Sequence, residues 1–307
     1  MYRLPDTLDM TEAKALVQEA EAAFEAQLSA IADAVIQNPD VQFLTVTGPS
    51  CSGKTTTTKV LCQKLEAAGR ALYPVSLDDF YKNPEDVPLL PDGRIDYDTA
   101  KAIDLQSLEA CIAHLLKEEP VDLPRFDFET KRRAGYVRYE PRENDIIVLE
   151  GIQAIYPEVK ALLPIEHTLS IAIMPNKDVL LPDGSQLSRR EIRLLRRIVR
   201  DARERATKAE KNLFMWETVT ANEDITILPN LHRVDHFIDS FLPYELYVIR
   251  PYAETLLSEI PDDSVYADVR DHLLSCLSTL TALPSHIVPK DSVFREFIGE
   301  EREDVKI

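Results

Sequence analysis

The run Gly48-Pro-Ser-Cys-Ser-Gly-Lys-Thr55 has the spacing G-x-x-x-x-G-K-[ST], a pattern suited to holding phosphate. Glycines at positions 48 and 53 let backbone N–H groups curl around phosphate oxygens. Pro49, Ser50, Cys51 and Ser52 form the body of that loop, and Thr56 follows it into a helix. Lys54 is placed to reach the β- and γ-phosphates, and the Thr55 hydroxyl suits Mg²⁺. The chemistry expected is binding of a nucleoside triphosphate, with ATP and Mg²⁺ as cofactors.

Three further groups bear on phosphate chemistry. Asp78 and Asp79 follow the strand-like run ending at Leu77. A carboxylate there orients an acceptor hydroxyl and takes its proton, and Asp78 is the better candidate. Spacing alone equally allows it to cap the next segment. Glu150 ends a very apolar run and suits the second metal-side position, or a solvated strand end. Between Arg189 and Arg205 stand eight arginines. Arg193, Arg196, Arg197 and Arg200 recur at one-face helical spacing, which suits a transferring phosphoryl group. A solvated face balanced by Glu191, Asp201 and Glu204 is the competing reading; beside a phosphate loop, a closing lid is favoured. Pro124–Arg133 reads as a loop. It would stack a planar base or, as spacing favours, anchor a turn with Phe126 and Phe128 buried.

These residues need a scaffold. Gln42–Thr47, Ala71–Leu77, Asp145–Leu149, Thr168–Ile173 and Asp235–Asp239 read as strands, with helical runs at Thr56–Ala68 and Leu105–Lys117 between them. Alternating β and α with wholly apolar strands predicts an α/β fold, a parallel sheet covered by helices on both faces. Ligands in such sheets bind beyond the carboxyl ends of the strands, where the loop and both acidic motifs fall. Thr11–Gln37 predicts a long amphipathic helix, for packing or for a partner. The division expected is a helical extension over 1–38, a phosphate-loop domain over 39–255 with an arginine-rich lid near 186–210, and a helical tail over 256–307.

Composition narrows the partners. The net charge of −18, from 35 basic and 53 acidic residues in 307, argues against nucleic acid or an anionic membrane. No apolar run long enough to span a bilayer and no signal-peptide core is read. Four widely spaced cysteines read as reduced thiols, which predicts a cytoplasmic location.

Taken in order, Gly48–Thr56, Asp78-Asp-Phe-Tyr81, Arg125-Phe-Asp-Phe128, Leu149-Glu-Gly-Ile152 and Arg193–Asp201 resemble uridine kinases of the phosphoribulokinase/uridine kinase family, over roughly residues 40–255. The resemblance implies a P-loop kinase with a nucleoside 5′-hydroxyl as acceptor. It implies Asp78 as base, Tyr81 and Asp98 at the substrate with Asp98 on the ribose, the four arginines on a lid, and Thr55 with Glu150 at Mg²⁺. Phe126 stands where the family carries a base-contacting Tyr, and Lys131 where it carries a His. Both departures remove base-edge hydrogen bonds, so another nucleoside or a small polyol stays open. Ala206 stands where the lid often has Gly. A GTPase switch is disfavoured: Asn176-Lys-Asp-Val179 misses the guanine-reading pattern and no D-x-x-G occurs. A regulatory relative that keeps nucleotide binding without turnover is the remaining alternative. The oligomeric state, monomer or homo-oligomer, is open.

Overall fold

The computed structural model describes residues 1–300 apart from 6, 91, 92, 98 and 143. In chain order it runs β1 (Tyr2–Arg3), α1 (Met10–Gln37), β2 (Phe43–Thr47), α2 (Lys54–Ala67), β3 (Leu72–Ser76), α3 (Leu105–Leu115), β4 (Val121–Asp127), β5 (Arg132–Tyr139), β6 (Ile146–Glu150), α4 (Pro157–Lys160) and β7 (Thr168–Met174). It continues through β8 (Val179–Leu180), β9 (Gln186–Leu187), α5 (Arg189–Arg205), α6 (Ala209–Asn222), β10 (His236–Asp239), α7 (Glu245–Leu257), α8 (Ala267–Ser278) and α9 (Arg295–Ile298).

Five strands form one parallel sheet in the order β10-β7-β2-β6-β3. All five residues of β2 are buried, as are the first four of β6. Alternation along these strands feeds two separate cores. Leu44, Val46, Ile146 and Val148 pack with α1, α2, α5 and α7. Phe43, Ile147 and Leu149 pack on the opposite face with α3 and the β4 residues Val121 and Leu123. A strand buried on both sides needs no polar face, which is why these segments read as continuous apolar runs. The parallel α/β architecture covered on both faces is therefore as expected.

Register then builds the site edge. Val46 and Ser76 both align with Glu150, and Thr47 aligns with Ala172. Val46 of β2 and the last residues of β3 and β6 thus lie side by side at strand spacing, roughly 4.8 Å apart per neighbour. Gly48, Asp78 and Gly151, each just past the end of its strand, are thereby delivered to one rim.

Both terminal segments belong to the same body. α1 begins with a capping box in which Asp9 accepts from Thr11 N and Glu12 N, and Glu12 accepts from Asp9 N. Its buried row, Val17, Phe24, Leu28, Ile31 and Val35, shares one core with Phe294 and Phe297 of the tail. The 124–133 segment corrects the sequence expectation: it is an antiparallel hairpin of β4 and β5, with a register shift at Arg125/Phe126. Pro124 sits inside β4, which is tolerated because this pair is a two-stranded ribbon with free edges.

Candidate active site

The phosphate loop leaves β2 and enters α2 through Gly53, whose φ of 94° lies in the left-handed region. Gly48 is required by space: a Cβ there would lie 2.1 Å from the Ile173 carbonyl oxygen. Cys51 also has positive φ, 60°, and is buried, so the loop alternates backbone hands as an anion nest does. Lys54 donates to the carbonyls of Gly48 (2.9 Å) and Pro49 (3.3 Å), which holds its ammonium over the loop. Thr55 is exposed at the start of α2. Ser52 is fully buried, its hydroxyl without a partner among the described residues.

The arginine row lies against the back of this loop. Arg193 donates to the Ser50 carbonyl at 3.0 Å and pairs with Glu223. Arg196 donates to the Cys51 carbonyl at 3.3 Å and forks onto Glu245 at 2.6 and 2.9 Å. Both side chains are fully buried. Arg197 reaches the Ser50 hydroxyl at 3.2 Å and Asn212 at 3.0 Å. Arg200 pairs with Asp201 at 2.8 Å. With loop carbonyls drawn toward arginines behind, loop N–H groups are left for the opposite side. The single helical face predicted from spacing therefore splits into a buried half, Arg193 and Arg196, and a partly exposed half, Arg197 and Arg200. α5 ends at Ala206 in the left-handed conformation (φ 48°), a position that favours glycine.

Beyond β3, the two aspartates part company. Asp79 is buried, paired to Arg125 at 2.5 Å and accepting from Phe126 N at 3.0 Å, so it anchors the hairpin. Asp78 is half-buried and accepts from Gln153 Nε2 at 3.0 Å. The same Nε2 donates to the Tyr81 hydroxyl at 2.7 Å. Gln153 is 1% exposed and its Oε1 has no partner among the described residues. Sequence reasoning missed Gln153; its signal is a lone amide in the otherwise apolar run after Gly151. Tyr81 packs edge-on to Phe126 (5.6 Å), and Phe126 to Phe128 (5.4 Å). Phe126 is buried as expected, but Phe128 is exposed, because it stands past the end of β4 in the hairpin turn. Lys131 lies exposed at the hairpin turn with φ 55°. Asp98 lies outside the described residues.

Glu150 ends β6, and burial pushes its carboxyl above the usual range; Lys54 opposes this, while Asp78 and Glu296 add to it. Lys54, Asp78 and Glu296 therefore all lie near enough to the Glu150 carboxyl to act on it. The oxygen donors Thr55 and Glu150 fit a hard divalent cation. Glu296, which sequence reasoning did not single out, comes from α9: Thr56 donates to it through its N–H (3.3 Å) and hydroxyl (2.9 Å).

In sequence the chain is similar to known kinases. A uridine kinase of Anoxybacillus flavithermus is 31% identical over 175 residues, 57% of this chain and 74% of that protein. The uridine-cytidine kinase C of Dictyostelium discoideum is 29% identical over 125 residues, 41% of this chain; the match spans 26% of that protein's length. A solved structure described as a possible uridine kinase from Bacillus stearothermophilus superposes with a TM-score of 0.47 at 16% identity, covering 70% of this chain and 98% of that one. Residues 43–244, from the first residue of β2 to the turn before α7, match the phosphoribulokinase / uridine kinase family model, and the chain belongs to that family.

Proposed function

We propose that this chain transfers the γ-phosphoryl group of ATP to a hydroxyl of a small acceptor, most fittingly the 5′-hydroxyl of a nucleoside. One observation carries the reading: Asp78, free of any ion pair among the described residues, stands on the same rim as Lys54 and Glu150. The Asp78 carboxylate takes the proton of the acceptor hydroxyl. The hydroxyl oxygen bonds to the γ-phosphorus as the bond to the bridging oxygen breaks, and ADP leaves. Lys54 and the loop N–H groups neutralise the transferring charge, with Arg197 and Arg200 at the loop's edge. Mg²⁺, held by Thr55 and Glu150, would supply charge neutralisation on the phosphates. Tyr81, Phe126 and Phe128 offer an aromatic wall for a planar base. A cytoplasmic setting suits an ATP-dependent enzyme with four free thiols. Among the described residues no helix is long and apolar enough to cross a membrane.

A second acceptor class, a small polyol, is favoured by one feature. Phe126 has no hydroxyl and Lys131 no imidazole, the two groups that the family resemblance places at a pyrimidine edge, and Phe126 is buried while Lys131 sits at the hairpin turn. The deciding assay is ADP formation with Mg²⁺ and ATP against nucleosides, ribulose 5-phosphate, pantothenate and simple polyols. Acceptor-dependent turnover that Asp78→Asn removes, with ATP affinity retained, is the expected result. A flat panel, or an unaffected Asp78→Asn, would refute it.

A further inference from the structure

Residues 245–300 lie beyond the stretch that matches the family, yet their far end returns to the phosphate loop. Phe294 and Phe297 are fully buried. Arg295 ties the segment together, donating to the carbonyls of Ser285 (2.9 Å), Val288 (2.5 Å), Pro289 (3.2 Å) and Gly299 (3.1 Å). Arg203 of α5 donates to the carbonyls of Phe297 (2.8 Å) and Glu296 (3.1 Å), and the Arg196 guanidinium stacks over the Phe297 ring at 4.8 Å. On the loop itself, a Cβ added to Gly53 would meet the Val293 methyl at 2.7 Å.

The segment carries one carboxylate to a particular place. α2 has no side-chain cap of its own because Gly53 occupies the cap position. Thr56 is in the first turn of α2, and its N–H and hydroxyl both donate to a single Glu296 oxygen. Backbone N–H groups of such a loop and of the helix it opens are the donors that cradle nucleotide phosphates. A carboxylate fits them for the same reason a phosphate does.

We propose that Glu296 sets the nucleotide affinity of this chain, acting as a tethered anion that competes with the donor's phosphates for the Thr56 donors. The inference rests on the reading of the loop as the ATP site. Nucleotide must displace the carboxylate or share its donors beside a like charge, so the apparent dissociation constant is the intrinsic one divided by the fraction of molecules in which Glu296 is disengaged. Tight engagement also makes the tail report on occupancy, because α9 loosens when nucleotide takes its place.

The test is ATP binding by calorimetry to the full chain and to Glu296→Gln, which keeps shape and removes charge. The Gln variant is expected to bind about tenfold tighter, the effect of losing one charge-assisted contact. Equal or weaker binding would overturn the proposal and leave Glu296 as a fixed cap of α2. Absence of ATP binding in both proteins would instead refute the ATP-site reading, and the proposal with it. Amide exchange over Val293–Ile298 in the unaltered chain gives an independent readout. Saturating ATP should speed exchange there; slower exchange would show that the tail closes over nucleotide and would overturn the competition.

Discussion

Gln153→Glu is the perturbation that tests most directly whether Asp78 does chemistry. The native amide donates to Asp78 at 3.0 Å and carries no charge at any pH. In the variant a carboxyl of nearly the same shape takes its place. While that carboxyl is protonated it donates to Asp78 as the amide did, and turnover survives. Once both are ionised, two like charges face each other at the 3.0 Å of the present contact. At an effective dielectric of about 20 their repulsion is about 5.5 kcal/mol. That is about four pH units, so the pair gives up its second proton near about pH 8 rather than about 4. The variant should therefore be active in the acidic to neutral range and lose turnover as pH rises through about 8, a limb the amide cannot produce. Initial rates of acceptor-dependent ADP formation across pH measure this, with the unaltered chain in parallel. Gln153→Ala removes a charge-assisted bond worth about 1.5–3 kcal/mol, so kcat should fall about 10- to 150-fold at unchanged KM for ATP. Identical pH–rate profiles for Gln153→Glu and the unaltered chain would rule out Asp78 acting as base through this contact.

Buried charge yields two further expected outcomes. Arg196→Ala strips Glu245 of its partner in the protein interior and should cost about 3–5 kcal/mol in denaturant unfolding; a loss under about 1 kcal/mol with turnover abolished would instead put Arg196 at the phosphates. Glu150→Gln should remove the proposed metal contact and with it Mg²⁺-dependent turnover, while raising the melting temperature at neutral pH. Burial raises the Glu150 pKa by disfavouring the ionised carboxyl in the folded chain, so the native charge destabilises at pH values above the folded pKa. The gap between the two melting temperatures should close as pH falls through that raised value towards an ordinary carboxylate; a gap that widens on acidification would contradict it.

What the sequence made legible was whatever short-range spacing constrains. The phosphate loop was readable because eight consecutive residues must satisfy one geometry. The central strands β2, β6 and β7 were readable because burial on both faces leaves no polar alternation to confuse them with surface strands. Asp78 was open between base and cap on spacing, and only the partners of Asp79, Arg125 and the Phe126 amide, separate the two carboxylates. The hairpin at 124–133 was missed because proline and clustered charge read as loop, whereas an isolated ribbon tolerates both. The arginine row shows the limit most plainly. Periodicity identifies a face but not what lies opposite it, and the carboxylates that take Arg193 and Arg196, Glu223 and Glu245, come from outside the helix. Beside a phosphate loop, the sequence favours an arginine row that faces substrate, in a chain of net charge −18. Acidic excess works the other way: it supplies carboxylates enough to bury two arginines, and these in turn hold the Ser50 and Cys51 carbonyls. The loop's readiness for phosphate therefore depends on pairs that no local motif encodes. A P-loop transplanted without Glu223 and Glu245 should keep its sequence pattern and lose its shape.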